Sequence, residues 1–93
     1  MHEFSFRDNE FYCEDIKVAD IASRVDTPFY LYSYATLIDH YKKLKTAFKP
    51  INPLISFSMK SNSNLAVIRA LVRSGAGLDV VSGGELYRSR LAG

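Results

Sequence analysis

The sequence predicts an α/β fold with a parallel sheet, and two features of its second half indicate this. Strand-like runs at 54–60 and 78–81 are each followed by a segment with helical spacing of apolar residues. Alternation of strand and helix is typical of parallel strands joined by right-handed helical crossovers. Side chains that carry chemistry are therefore expected at the carboxyl ends of these strands.

Composition and charge limit the possible functions. The chain has 93 residues, of which 47% are hydrophobic and 24% are charged, which fits one small globular domain. The net charge of +2 is too small to indicate binding to nucleic acid or to an anionic membrane. The basic cluster of the middle segment is interpreted as the solvated face of a helix; it consists of Lys42, Lys43, Lys45 and Lys49.

Cysteine and histidine usage excludes two further classes of site. Cys13 is the one cysteine, so no disulfide framework and no paired-cysteine metal site is expected, and His2 and His40 have no ligand spacing with it. The sequence shows neither the basic-then-apolar pattern of a secretory signal nor an apolar run of about 18 residues. We expect a cytoplasmic protein without a metal and without a membrane partner.

The first third is expected to contain short strands and a short helix. Phe4 to Cys13 is predicted to form one or two strands around a turn at Asp8-Asn9. Asp15 is predicted to cap a short helix that ends before Pro28. The aromatic run Phe29 to Tyr32 is predicted to be a strand.

Three helices are expected after that run. Ser33 is predicted to cap the first, an amphipathic helix reaching Phe48. Ser63 or Asn64 caps the second, and Gly75 and Gly77 terminate it. Ser82 and Glu85 have the spacing of a capping box at the start of the third. The intervening pair Gly83-Gly84 could instead cradle an anion.

Lys60 is the leading candidate for a catalytic residue. Side chains alternate along a strand, so Ile55, Phe57 and Met59 should pack on helices while Ser56, Ser58 and Lys60 face the other side. A lysine in a partly dry pocket loses its proton readily, and its neutral amine can form a Schiff base. The alternative is a lysine that simply turns out to solvent.

Asp79 is the second candidate. The same alternation directs Leu78 and Val80 to the helices and Asp79 to the side of Lys60. Neighbouring parallel strands lie about 4.8 Å apart, so Lys60 and Asp79 could come close at the strand ends. Asp79 would then stabilise a positive charge on the lysine nitrogen, or the two would form a structural ion pair.

Three segments of the chain resemble the pyridoxal-phosphate-dependent decarboxylases of the alanine-racemase-like family. Residues 57–64, FSMKSNSN, resemble the Y-A-x-K-A-N-S-N segment of that family. Residues 75–86, GAGLDVVSGGEL, resemble its second-strand signature. Their residue types are closer to those of the diaminopimelate decarboxylase branch than to those of the ornithine branch. Residues 27–32, TPFYLY, are similar to its T-P-x-Y-V-Y strand. Phe57 stands where that family usually has tyrosine, and Ser58 and Ser61 stand where it has alanine.

The resemblance implies a fold, a cofactor and site residues. The fold would be the first strands and helices of a (β/α)8 TIM-type barrel at 28–93, preceded by a segment at 1–27 that joins a β-rich second domain. Lys60 would form the Schiff base with pyridoxal 5'-phosphate, Asp79 would lie beside it as a catalytic and cofactor-binding residue, and Glu85 would be a further cofactor-binding residue.

The resemblance also implies a reaction and partners. A small-molecule amino acid would be the substrate, meso-diaminopimelate would give L-lysine and carbon dioxide, and the full-length protein would be a homodimer. The alternatives are a related basic amino-acid or carboxynorspermidine decarboxylase, or a non-catalytic product, which would be either a truncated fragment or an interaction module. A complete barrel takes about 250 residues, so the residues that hold the phosphate and the substrate would lie beyond Gly93. The 93-residue chain alone is expected to be inactive.

Overall fold

The structure is a computed structural model that describes residues 2–93. Contacts divide it into two compact units, one ending at Leu37 and one running from Ile38 to Gly93.

The first unit opens with a three-stranded antiparallel sheet. Its strands are β1 (Phe4–Arg7), β2 (Glu10–Cys13) and β3 (Ile16–Lys17), in the order β1-β2-β3. Asp8 and Asn9 link β1 to β2 with φ angles of 51° and 66°. Two consecutive positive φ angles define a type I′ turn, whose twist matches that of the flanking strands. The predicted strands around Asp8-Asn9 are therefore confirmed.

Two predictions for the first unit are wrong. The helix α1 (Val18–Arg24) begins after β3, its N-cap position is Lys17, and no side chain caps it. Asp15 lies in the turn before β3, where its carboxylate pairs with Arg7 at 3.3 Å, so it cannot cap the helix. Phe29–Tyr32 is not a strand. Aromatic composition favours an extended backbone, but a strand also needs a hydrogen-bonded neighbour, and the structure of residues 2–93 pairs this run with none.

The helix α2 (Tyr34–Ala47) begins as predicted. The Ser33 hydroxyl oxygen accepts a hydrogen bond from the Thr36 backbone N–H at 3.1 Å, which satisfies one free donor of the first turn. Ile38 and Tyr41 form the buried face of this helix. A 3-10 turn at Lys49–Ile51 follows it.

The second unit contains a parallel strand pair with its helical crossover. Strands β4 (Ser56–Ser58) and β5 (Gly77–Asp79) are joined through helix α3 (Leu65–Arg73), and helix α4 (Gly83–Ala92) follows β5. Met59 and Ile68 are fully buried at the centre of its core, with Ala92. Phe57, Leu78 and Val80 pack against that core, so the predicted apolar faces of both strands are confirmed.

The ends of these elements differ slightly from the expected ones. β5 begins at Gly77 and stops at Asp79, because Val80 and Val81 have no partner residues in β4. Gly77 therefore opens a strand and does not end α3. Asn64 caps α3 by accepting hydrogen bonds from two backbone N–H groups, and Gly75 ends it with a φ of 111°. That angle lies in the left-handed region that glycine adopts freely.

Candidate active site

Lys60 lies in a tight turn at the carboxyl end of β4. The backbone N–H of Ser61 donates to the Ser58 carbonyl at 3.1 Å, which closes the turn around Met59 and Lys60. The backbone N–H of Met59 donates to the Asp79 carbonyl at 3.1 Å, which ties the turn to β5. Met59 is buried in the core while Lys60 is exposed. Lys60 thus lies outside the core, and residues 2–93 do not enclose it in the partly dry pocket that we expected.

Asp79 lies on the opposite face of β5 from the core. It is the register partner of Ser58, whereas its neighbour Leu78 is the partner of Phe57 and packs with it against the core. Asp79 and Ser58 therefore share the face that is turned away from α3 and α4. Lys60 follows two residues after Ser58 at the same end of the pair. Within the described part of the chain, no ion pair of 4.0 Å or less joins Lys60 to Asp79.

The face that carries Asp79 is formed by small side chains. Ser56 pairs with Gly77, and a Cβ atom added to Gly77 would lie 2.9 Å from the Ser56 hydroxyl oxygen, so a larger residue would not fit there unchanged. The Ser58 hydroxyl oxygen is buried and has no hydrogen-bond partner among the described residues. An exposed primary amine at Lys60, close in the fold to the hydroxyl of Ser58 and the carboxylate of Asp79, has the chemistry that a Schiff-base cofactor such as pyridoxal 5'-phosphate requires.

Glu85 takes part in the capping of α4. Its carboxylate oxygen Oε1 accepts from the Val81 backbone N–H at 3.0 Å, and its own N–H donates to the Ser82 hydroxyl oxygen at 3.1 Å. The Ser82 hydroxyl thus caps α4 as predicted, whereas the Glu85 carboxylate binds the N–H of Val81, one residue before the N-cap, and not that of Ser82 as in a standard capping box. A Cβ atom added to Gly83 would meet no atom within 4 Å, so the structure gives no indication of a tight anion cradle at Gly83-Gly84.

Arg88, which no motif of the sequence indicated, holds the loop that follows Lys60. Its guanidinium donates from Nη2 at 2.8 Å and from Nε at 3.3 Å to the Ser63 carbonyl oxygen. These bonds join α4 to the segment between Lys60 and the Asn64 cap. The two residues are 25 positions apart, and no local pattern signals such a pair.

Other kinds of site find no support in the described residues. Across residues 2–93, no cluster of three or more histidine, cysteine, aspartate or glutamate side chains could hold a metal ion. No helix in that range is both long enough and apolar enough to cross a membrane. An open groove of about 550 Å³ lies along α4, lined by Gly83, Leu86, Tyr87, Arg90 and Leu91. Neither Lys60 nor Asp79 lines this groove.

Sequence comparison establishes the family. Residues 34–93 match the pyridoxal binding domain of the pyridoxal-dependent decarboxylases, and the chain belongs to this family. It is 43% identical over 93 residues to diaminopimelate decarboxylase from Pseudomonas aeruginosa, covering 100% of this chain and 22% of that protein. It is 41% identical to the enzyme of that name from Haemophilus influenzae, with the same coverage. The chain thus spans about a fifth of the length of these relatives.

Solved structures show the same relationship. The crystal structure of diaminopimelate decarboxylase from Methanocaldococcus jannaschii matches with a TM-score of 0.90 and 32% identity, covering 97% of this chain and 22% of that one. The protein AQ1208 from Aquifex aeolicus matches with a TM-score of 0.90 and 33% identity, with the same coverage. The fold is therefore that of the N-terminal portion of these TIM-barrel enzymes, which confirms the predicted fold class.

Proposed function

We propose that this chain is the N-terminal part of a pyridoxal-phosphate-dependent decarboxylase that converts meso-diaminopimelate to L-lysine and carbon dioxide. The position of Lys60 supports this most directly: it is exposed in a turn tied to β5, at the carboxyl end of a parallel strand pair, inside the segment that matches the pyridoxal binding domain. Barrel enzymes carry their sites at this end of their strands.

Lys60 is the covalent attachment point for the cofactor in this proposal. The cofactor, when bound, withdraws the electrons that carbon dioxide leaves on the α-carbon of the substrate. The Lys60 amine holds the cofactor between turnovers, and it is free to accept or return a proton when the substrate amine replaces it. The tight turn fixes its backbone, so only the side chain must move.

Asp79 and Glu85 are assigned supporting roles. The Asp79 carboxylate stabilises positive charge on the nitrogen of Lys60 when the two side chains approach each other across β4 and β5. Glu85 holds the start of α4 through Val81, two residues beyond Asp79, and contributes to cofactor binding. This double role is consistent with the bond to Val81, since Val81 uses only one of the two carboxylate oxygens.

The proposed product, domain organisation and assembly are based on the relatives. Curated relatives are named diaminopimelate decarboxylase, and one solved relative is a co-complex with L-lysine, which corresponds to the product proposed here. Residues 1–27 form the segment that joins a second, β-rich domain, and residues 28–93 begin the barrel. The full-length protein is a cytoplasmic homodimer, and the phosphate and substrate contacts come from parts of it outside this chain.

Reduction of the intact holoprotein with borohydride tests the role of Lys60. The reagent makes the bond between cofactor and lysine permanent, so peptide mapping should find the pyridoxyl group on Lys60. Lys60→Arg keeps the positive charge but cannot form that bond, and it should abolish both the label and carbon dioxide release. Lys42→Arg, an exposed change on α2, should alter neither. A label on any other lysine would refute the assignment.

A substrate panel tests the reaction. Release of carbon dioxide should be fastest with meso-diaminopimelate, with L-lysine as the second product. Faster turnover of ornithine, arginine or carboxynorspermidine would replace the proposed substrate but leave the role of Lys60 intact.

A further inference from the structure

We propose that Ser58 is a positioning residue whose hydroxyl donates a hydrogen bond to the Asp79 carboxylate and holds it beside Lys60 in the loaded enzyme. This inference rests on the function proposed above.

The first observation is that the Ser58 hydroxyl lacks a partner. Its oxygen is shielded from solvent and forms no hydrogen bond within residues 2–93. A buried polar group without a partner destabilises a fold, because it has lost its hydrogen bonds to water. A methyl side chain at this position would avoid that loss. The hydroxyl is therefore better explained by a partner that it gains when the site is complete.

The second observation identifies that partner. Asp79 is the register partner of Ser58 on the neighbouring strand, and the two side chains share one face. An ionised carboxylate only accepts hydrogen bonds, and a serine hydroxyl can donate one. Within the described residues, the Asp79 carboxylate has no hydrogen bond or ion pair that would compete. Neighbouring parallel strands lie about 4.8 Å apart, a separation that side chains of register partners on one face can bridge.

The third observation gives the hydrogen bond a purpose. Asp79 is exposed, so its carboxylate is free to turn towards water and away from Lys60. The Ser58 backbone is fixed at the base of the turn that carries Lys60, because the Ser61 N–H donates to its carbonyl. A bond from this fixed residue would restrain the carboxylate next to the lysine nitrogen, where its negative charge favours the bound cofactor.

The test is the affinity of the full-length apoprotein for pyridoxal 5'-phosphate, titrated by absorbance. Ser58→Ala should weaken binding by about fivefold, the effect of one hydrogen bond, and should shift the absorbance maximum of the bound cofactor. Ser58→Thr keeps the hydroxyl and should restore both. Ser56→Ala is the matched control, since Ser56 lies on the same strand face but opposite Gly77, and it should leave affinity unchanged.

A double-mutant cycle separates positioning from packing. In an Asp79→Ala background, Ser58→Ala should have no further effect on affinity or on the absorbance maximum. An unchanged affinity in Ser58→Ala, or an equal loss in both backgrounds, would overturn the inference. Borohydride labelling of Lys60 in the same samples distinguishes failure of the role of Ser58 from failure of the proposed function. If Lys60 is labelled and Ser58→Ala has no effect, only the role of Ser58 fails; if Lys60 is never labelled, the proposed function fails with it.

Discussion

Gly75 illustrates a residue whose conformation and surroundings both exclude a side chain. Its φ of 111° ends α3 in a conformation that other residues rarely adopt. A Cβ atom there would lie 3.2 Å from the Tyr41 hydroxyl and 3.3 Å from the Lys45 amine. Gly83 differs on both counts, because it lies in the first turn of α4 and a Cβ atom would meet nothing within 4 Å.

These two glycines give a matched pair of substitutions. Gly75→Ala should lower the free energy of unfolding of the intact protein by about 1–3 kcal/mol, because alanine is strained at this φ angle. Gly83→Ala should cause no loss, because alanine favours the helix. Urea unfolding followed by circular dichroism measures both. Equal losses in the free energy of unfolding at the two positions would show that backbone conformation does not determine the effect of the substitution.

The sequence predicted the strand face of residues at the candidate site better than it predicted their environment. Alternation along two short strands was enough to assign Phe57 and Leu78 to the core and Asp79 to the other face. The burial of the Ser58 hydroxyl was not predictable, because it depends on atoms packed around it in three dimensions. The same is true of the Arg88 bond to Ser63, whose partners are distant in sequence.

At the level of elements, Glu14 links the β2–β3 turn to the start of α2. Its carboxylate accepts hydrogen bonds from the Ala35 backbone N–H at 3.1 Å and from the Ser33 hydroxyl at 2.8 Å. Both bonds lower the pKa of Glu14 from its ordinary value of 4.5, and the bond from the Ala35 backbone has the larger effect. A negative charge at the beginning of a helix also interacts favourably with the helix dipole.

The lowered pKa of Glu14 predicts how the stability of this link depends on pH. A carboxyl group whose pKa is depressed by folding contributes stability above its unfolded pKa and loses it as pH falls through the folded value. Glu14→Ala should therefore ease local opening at the Ala35 amide by about 1 kcal/mol at pH 7. The difference from the unmodified protein should shrink as pH falls from the ordinary value of 4.5 through the lowered pKa of the folded protein. Hydrogen exchange of that amide measures the effect.

Glu3→Ala is the control for this prediction. Glu3 is exposed, and its hydrogen bonds to Glu14 and Thr36 use only backbone atoms, so alanine preserves them. A pH-independent difference for Glu14→Ala would contradict the link between its charge and α2.

Element boundaries were harder to predict than element faces. Phe29–Tyr32 has the composition of a strand but no neighbour in residues 2–93, and β5 ends at Asp79 although two valines follow it. Asp15 had the chemistry of a cap, but the pairing of β3 with β2 moved the start of α1 beyond it. Strand pairing is a non-local property, so composition alone does not determine where an element begins or ends.

For the whole molecule, the surface of the chain predicts weak stability in isolation. The strand pair β4-β5 has two unpaired edges in the described chain. Large apolar side chains are exposed around it and on α4: Leu54, Val81, Leu86, Tyr87 and Leu91.

The isolated 93-residue chain is therefore expected to unfold over a broad range or to associate. Open strand edges and uncovered apolar side chains favour contacts with other chains. Calorimetry should show a weak transition, and size-exclusion chromatography should show species larger than a monomer. The intact protein is the control, and it should unfold sharply at a higher temperature. A monomeric 93-residue chain with a sharp transition well above about 50 °C, where mesophilic domains cluster, would contradict the prediction, because these residues would then form a complete core of their own.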